Sequence, residues 1–125
     1  MTPEEVAKAF GLASIVEVMA PKPGNVTRYH DFQDTTCEDF LISAWAAALV
    51  FAEADKLTVG DLILTARRAS AQYVKSNTNL GMILLLAPLA KAALDKTPTS
   101  LRNRLSNVLK TLTVDDCRKA YLAIR

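Results

Sequence analysis

The apolar positions of this chain recur at spacings of three and four residues, which places them on one face of successive helices. One such face follows Thr2 and ends near Pro21. Two more follow Thr36 and Thr58. The three faces are, in order, Val6, Ala9, Phe10, Ala13, Val16 and Ala20; Phe40, Ala44, Ala47, Ala48, Phe51 and Ala52; and Leu62, Ile63, Ala66, Ala69, Ser70 and Tyr73. No segment alternates in the manner of a strand, so the pattern predicts an all-α protein.

The second half of the chain continues the same pattern. A fourth helix is expected from about Asn79 to Leu94, with Pro88 kinking it or dividing it in two. The fifth helix has apolar positions Leu101, Leu105, Val108 and Leu109, and the sixth has Cys117, Ala120, Tyr121 and Ile124. The sequence therefore predicts a single domain over 1–125, a bundle of about six helices with a long functional loop between the first two.

Threonine marks most of the predicted helix starts. Four threonines have an acidic residue three positions later, which resembles the capping box in which the two side chains satisfy each other's backbone amides. The pairs are Thr2 with Glu5, Thr36 with Asp39, Thr58 with Asp61, and Thr113 with Asp116. Thr97 followed by Pro98 predicts the start of the fifth helix, because proline at the first helical position loses no hydrogen bond.

Composition excludes some classes of partner. The 15 Lys and Arg residues nearly balance the 13 Asp and Glu residues, so nothing suggests the concentrated basic charge of a nucleic-acid binder. The most apolar run, 80–90, is shorter than the roughly 20 residues that span a bilayer, and the first residues lack the basic and apolar regions expected of a signal peptide. We therefore expect a cytoplasmic protein.

Cys37 and Cys117 lack the spacing of a metal or redox site. Both are expected to be buried, as is Trp45.

The last predicted helix runs to Arg125 without a Gly or Pro stop signal. Such a helix either frays at its end or leaves an apolar face for a partner to cover. We expect either a homodimer that buries Ala120, Tyr121 and Ile124, or a missing C-terminal half of a longer domain.

A polar segment, 21–34, interrupts the helical pattern. Loops of this length in a compact domain are usually functional or disordered, and the mixture of aromatic and charged residues argues against disorder. Pro21 and Pro23 fix the backbone, and Gly24 permits an unusual turn. The competing interpretation is a rigid turn with solvated charges, and the spacing alone leaves both open.

The same loop carries side chains suited to a magnesium nucleotide. Lys22 and Arg28 are cations suited to phosphate, and the amides that follow the turn suit an anion. Asp31 and Asp34, with Glu38 in the next helix, offer oxygen ligands for Mg²⁺, which usually takes one or two carboxylates together with substrate phosphates.

A second polar segment, Ser-Asn-Thr-Asn-Leu-Gly at 76–81, comes directly before the most apolar helix. Backbone amides at a helix start attract anions, and Gly81 would allow close approach of a ligand. Ordinary capping by Thr78 or Asn79 is the alternative.

Four segments resemble the triphosphoribosyl-dephospho-coenzyme A synthase family, most closely its shorter-loop archaeal-type members. They are Glu17 with the Pro-Lys-Pro-Gly-Asn-Val of 21–26, the Asp-Phe-x-Asp-Thr of 31–35, the Phe-x-x-Ser-Ala of 40–44, and the Asn-Thr-Asn-x-Gly of 77–81. The resemblance covers nearly the whole chain and corresponds to the N-terminal half of the family's usual length.

The resemblance implies an all-helical enzyme that transfers the triphosphoribosyl part of ATP to the ribose 2′-hydroxyl of 3′-dephospho-coenzyme A and releases adenine. The product is the precursor of the prosthetic group of citrate lyase or malonate decarboxylase acyl carrier proteins. Mg²⁺ is the implied cofactor. We assign catalysis to Glu17, Asp31 and Asp34, metal binding to Asp31 and Asp34, and substrate binding to Lys22, Gly24, Asn25, Arg28, Asn77, Thr78, Asn79 and Gly81.

One departure from the family keeps other functions open. Characterised members of the family have a His-Lys pair where this chain has Asn79-Leu80. The difference removes a possible acid and a possible phosphate ligand. The alternatives are a related nucleotide-dependent transferase with a different acceptor and a catalytically inactive helical interaction module. The transferase hypothesis predicts that the 21–34 loop and the 77–81 helix start line one cleft, with Glu17 pointing toward it.

Overall fold

A computed structural model describes all residues, 1–125, and it contains six helices and no sheet. The helices are α1 (Pro3–Met19), α2 (Cys37–Phe51), α3 (Val59–Ala71), α4 (Leu80–Leu94), α5 (Leu101–Lys110) and α6 (Val114–Ile124). The all-α fold class and the number of helices are thereby confirmed. None of the six is both long enough and apolar enough to cross a bilayer.

Side-chain caps explain where five of the helices begin. In each, the hydroxyl of the N-cap residue accepts a hydrogen bond from the amide three positions on; these residues are Thr2, Thr36, Thr58, Ser100 and Thr113. The predicted start at Thr97 is wrong, because α5 begins at Leu101 with Ser100 as its cap. Thr97 instead donates its amide and its hydroxyl to Asp95 Oδ1, which forms a turn before the helix.

The core lies where α2 packs between α1 and α3 and where α4 covers α1 and α3; α5 packs on α4, and α6 packs on α3. The Phe10 and Phe51 rings stack with their centroids 3.9 Å apart and join α1 to α2. The buried core residues are Val6, Phe10, Ala47, Phe51, Ala54, Val59, Leu62, Ile63, Ala66, Ile83, Ala87, Ala90 and Ala123.

Several residues expected inside the bundle lie at its surface. Trp45 is about half exposed, so its predicted core position is wrong. Val16 and Tyr73 are also exposed. Because α2 is apolar around most of its circumference, spacing alone did not decide which side faces the core. The small residues Ala44 and Ala47 are the ones that face it, since helices approach most closely over alanine.

The two cysteines differ. Cys37 is buried as expected, and its burial raises the pKa of the thiol. Cys117 is exposed, so the prediction for it is wrong. It lies on α6 with Tyr121 and Ile124, which are also exposed in the single chain. Asp116 and Ala123 are the buried residues of this helix, and Ala120 packs against the main core. The predicted cover for this face stays a prediction.

A second, smaller core holds the long loop against the helices. Val18 at the end of α1, Val26 in the loop and Cys37 at the start of α2 are buried together. Met19, Phe40 and Leu41 pack around them. This cluster fixes the loop at the ends of α1 and α2, which is where the candidate site lies.

The start of α6 docks closely on the start of α3. The Gly60 amide donates to Asp116 Oδ1 at 2.8 Å, and a Cβ atom at Gly60 would lie 2.5 Å from Asp116 Cα. Burial by itself raises the pKa of Asp116. Hydrogen bonds from Gly60, Thr113 and Thr58 outweigh it and lower the pKa from 3.8 to about 2.

Candidate functional site

The 21–34 loop and the segment before α4 meet in one cavity of about 270 Å³. Its lining residues are Glu17, Asn25, Val26, Phe32, Thr35, Phe40, Ser76, Asn77 and Thr78. The two polar segments that are far apart in the sequence therefore share a cleft, as expected, and Glu17 lies on its wall.

A tight turn shapes one side of the cavity. The Asn25 amide donates to the Lys22 carbonyl at 3.4 Å, with Pro23 and Gly24 at the two central positions. Gly24 has a φ of 77°. Proline followed by a residue with positive φ is the signature of a type II turn, and glycine adopts that φ without strain. The turn places Asn25 where it lines both this cavity and a second one on the other side of the turn.

Glu17 and Lys22 form an ion pair at the edge of the cavity. Lys22 Nζ lies 2.8 Å from Glu17 Oε1, and both side chains are only partly exposed. Lys22 Nζ also donates to the Glu17 backbone carbonyl near the end of α1. A cation there satisfies a helix C-terminal carbonyl and complements the helix dipole.

A second cavity, of about 430 Å³, lies beside the first and shares Asn25 with it. Its other lining residues are Pro21, Lys22, Pro23, Gly24, Thr27, Tyr29 and His30. Thr27 and His30 exchange two backbone hydrogen bonds of 2.9 and 3.1 Å, which hold the loop in a tight reversal and present Tyr29 at its tip. Lys22 and Gly24 therefore line this second cavity rather than the first.

Five of the predicted site residues line neither cavity: Asn79 and Gly81 at the start of α4, and Arg28, Asp31 and Asp34 in the loop. The guanidinium of Arg28 lies over the Tyr29 ring, 4.6 Å from its centroid. Asp31 Oδ1 accepts a hydrogen bond from the Cys37 amide at 2.8 Å, so this carboxylate stabilises the first turn of α2. Asp34 is exposed, and its Oδ1 accepts only from the Thr35 hydroxyl, at 3.3 Å.

These carboxylates suit a magnesium ion only if the substrate supplies most of its ligands. No group of three or more His, Cys, Asp or Glu side chains is close enough to hold a metal. Asp31 has one oxygen outside its bond to Cys37, and Asp34 is nearly free. One or two carboxylates with substrate phosphates and water is the usual ligand set of Mg²⁺.

The start of α4 differs from the other helix starts. Asn79 occupies the N-cap position in a left-handed conformation, with φ 55°, and its side chain makes no cap hydrogen bond. Its Nδ2 instead donates to the Phe40 carbonyl at 2.8 Å, which ties α4 to α2. The amides of residues 80–82 have no acceptor within the protein. Such a terminus carries partial positive charge and open donors, which is the property that binds anions.

Buried polar groups surround this helix start. Thr78 Oγ1 and Asn79 Oδ1 are buried without a hydrogen-bond partner. The Ser43 hydroxyl donates to the Thr78 carbonyl, and the Ser70 hydroxyl donates to the Ser43 carbonyl, each at 3.3 Å. Hydroxyls of α2 and α3 thus fix the backbone of the segment that closes the cavity. Gly81 is exposed, with nothing within 4 Å of a Cβ atom built on it.

Sequence reasoning missed the neutral residues of the cavity wall. Phe32, Thr35, Phe40 and Ser76 line it but were not assigned a role. The available signal was position, because the first three belong to the segments that carry the family resemblance and the last begins the second polar segment. A search weighted toward charged side chains passes over such residues.

Comparison with curated proteins finds no match, and comparison with solved structures finds none. The family model described as ATP:dephospho-CoA triphosphoribosyl transferase (CitG) matches residues 3–125, nearly the whole chain. That match supports triphosphoribosyl transfer to dephospho-coenzyme A as the general activity. The chain belongs to the ATP:dephospho-CoA triphosphoribosyl transferase family.

Proposed function

We propose that this protein transfers the triphosphoribosyl group of ATP to the ribose 2′-hydroxyl of 3′-dephospho-coenzyme A and releases adenine. Family membership supports the general transfer. The observation that carries the finer proposal is that the Glu17 carboxylate and the segment leading into the uncapped start of α4 line one cavity, which shares Asn25 with a second cavity.

The two adjoining cavities suit a reaction of two substrates. A transferase must hold donor and acceptor next to each other, because positioning removes much of the entropic barrier. On one side of Asn25, Lys22 supplies a cation; on the other, Asn77 and Thr78 lead into the open amides of α4. A triphosphate that reached from Lys22 to the start of α4 would use both, and charge-assisted hydrogen bonds to phosphate are among the stronger ones.

The chemistry requires a base for the acceptor. The bond from C1′ of the ATP ribose to adenine breaks, and a bond from C1′ to the acceptor oxygen forms. The acceptor hydroxyl gives its proton to a carboxylate, adenine takes up a proton as it leaves, and no redox step is needed. The transition state has oxocarbenium character, which a nearby carboxylate also stabilises.

We assign the role of base to Glu17. Its carboxylate lines the first cavity, and Lys22 is its one hydrogen-bond partner. If Lys22 turns to the incoming phosphates, the carboxylate becomes a free acceptor for the hydroxyl proton. Asn25 and Asn77, which both line this cavity, would orient the ribose hydroxyls through their amides.

Mg²⁺ enters this proposal with the nucleotide. Asp34 and the free oxygen of Asp31 would contribute ligands, and the ion would offset the charge of the triphosphate.

The direct test is incubation of the protein with ATP, Mg²⁺ and 3′-dephospho-coenzyme A, followed by chromatography for free adenine and mass measurement of the product. We expect one adenine for each triphosphoribosyl adduct, and adenine release at least about 100-fold slower from the Glu17→Gln variant purified in the same way. Adenine release only with another hydroxyl compound would assign a different acceptor. If no adenine is released with any acceptor, the result would favour the hypothesis of a catalytically inactive helical interaction module.

A further inference from the structure

The outer surface of α1, α2 and α3 carries an apolar face that the bundle does not cover. On α2, Ile42, Trp45 and Leu49 follow one another at helical spacing and all are exposed. Tyr73, just after α3, meets Trp45 edge to face with ring centroids 5.4 Å apart. Trp45 is 52% exposed and Tyr73 58%, so the pair packs on itself and still faces outward. We call these residues, with Leu12 and Ile15 of α1, the outer face.

The α1 residues extend the same surface. Helix α1 runs antiparallel to α2, because Phe10 stacks on Phe51 while Val18 packs with Cys37 at the other end. Ile15 is therefore level with the middle of α2, beside Trp45. The outer face is continuous across the two helices rather than a set of isolated side chains.

The distribution of charge on the outer face resembles that of a protein interface. No charged residue occurs in α2 after Asp39, whereas Glu38 precedes the apolar row and Glu53 and Lys56 follow it. An apolar centre with a polar rim is the usual anatomy of an interface. No basic group lies within the row, which argues against a nucleic acid or an acidic membrane surface as the occupant.

We propose that the outer face is the contact between two copies of this chain, related by a two-fold axis close to Trp45. The exposed side chains of the face offer roughly 600 Å², and with the rim this approaches the ~800 Å² that each partner contributes to a standard interface. Closed two-fold pairing is also the commonest arrangement among homo-oligomers. The proposal is independent of the enzymatic activity.

Helix polarity favours a second copy in particular. Trp45 is near the middle of α2, so a two-fold axis there crosses the two α2 helices antiparallel. That pairing sets the start of one α2 level with residues 52–53 at the end of the other, where Glu53 is already paired with Lys56. The negative end of each α2 dipole then lies beside the positive end of the other, which is the favourable arrangement of two helices.

The contact leaves the candidate site open. Ile15 and Glu17 are two residues apart on α1, which is about 200° around a helix. Glu17 therefore lies on a different side of α1 from the outer face, and a partner seated on Trp45 does not fill the cavity.

The single tryptophan of the chain makes the test direct. We expect the full chain to sediment as a dimer at high micromolar concentration, with tryptophan emission that shifts to longer wavelength as dilution separates the copies. Leu49→Glu, and independently Ile42→Lys, should weaken association by about tenfold or more while circular dichroism stays unchanged. The matched control is Tyr121→Glu on α6, where the side chain is 66% exposed and lies outside the outer face.

Three results would overturn the proposal. One is a monomer at every concentration, and another is a dimer that both outer-face variants leave intact. The third is a dimer that Tyr121→Glu disrupts and Leu49→Glu does not, because that result assigns the contact to α6.

Discussion

At the scale of single residues, the pair formed by Glu17 and Lys22 separates chemistry from binding. Glu17→Gln keeps the shape of the cavity wall but cannot accept a proton. We expect kcat to fall by about 10²–10⁴-fold, the usual contribution of a general base, with little change in the affinity for ATP. Steady-state kinetics with product detection checks this.

The control for that variant is Glu53→Gln, which removes an exposed carboxylate paired with Lys56 far from the cavity. It should leave kcat unchanged. If Glu17→Gln keeps full activity, the base lies elsewhere.

The two loop aspartates should respond differently to the same change. Asp34 is exposed and makes one long hydrogen bond, so Asp34→Asn should alter the free energy of unfolding by less than about 0.5 kcal/mol and still abolish the Mg²⁺-dependent part of ATP binding. Asp31→Asn weakens a charge-assisted bond to the α2 amide, so it should lower stability by about 1 kcal/mol.

Chemical denaturation measures the stability of each aspartate variant, and calorimetric titration with and without Mg²⁺ measures ATP binding. Unchanged Mg²⁺ dependence in Asp34→Asn would remove Asp34 from the metal site.

At the scale of the helices, two glycines offer a contrast. A Cβ at Gly60 would meet the Asp116 backbone, which cannot move without shifting α6. Gly60→Ala should therefore cost about 1–3 kcal/mol or more, by overpacking. Gly81 has open space and lies in the first turn of α4, so Gly81→Ala should be neutral or slightly stabilising.

Thermal unfolding of the two variants distinguishes a packing role from a binding role. A stable Gly81→Ala protein with weakened ATP binding would support close approach of the substrate to α4. A stable Gly60→Ala protein would contradict the tight docking of α6.

The junction of α3 and α6 also predicts a dependence of stability on pH. The pKa of Asp116 is lowered from 3.8 to about 2 in the folded protein, so the unfolded chain takes up the proton first as pH falls. Its contribution, about 2 kcal/mol, is complete above pH ~4 and is lost progressively as pH falls through ~2. Melting temperatures measured across this range should fall more steeply for the wild type than for Asp116→Asn. Parallel curves would contradict the shift.

What could be predicted at this scale follows from how local the signal is. The threonine caps act within one turn, and the helices they begin occur where the sequence places them. The predicted burial of Trp45 was wrong because its environment depends on other helices. Its side of α2 is set by the positions of α1 and α3, which periodicity in an almost wholly apolar helix does not report.

At the scale of the whole molecule, ligand binding should appear as stability. ATP with Mg²⁺ should raise the melting temperature more than AMP or adenosine, because the proposed site binds phosphates, and a ligand that binds only the folded state stabilises it. Differential scanning fluorimetry with the three ligands at equal concentration checks this. Equal shifts for ATP and adenosine would contradict a triphosphate site.

Helical periodicity did not predict the cavity, and only the requirements of the expected substrate did. A triphosphate needs more donors than one loop offers, which led to the expectation that Asn77 and Thr78 join Asn25 and Glu17 at one cleft. The engagement of Asp31 with α2 and of Arg28 with Tyr29 was not predictable, because an exposed charge can pair with backbone or ring as readily as with a ligand.

The small core of Val18, Val26 and Cys37 has a consequence for motion. These three buried residues are separate from the main core, so the 21–36 segment should open locally at a lower free energy than the helices beneath it. Its amide hydrogens should then exchange with deuterium well before those of α2 and α3. Bound substrate would slow exchange in that segment first, so the site would gain its order as it fills.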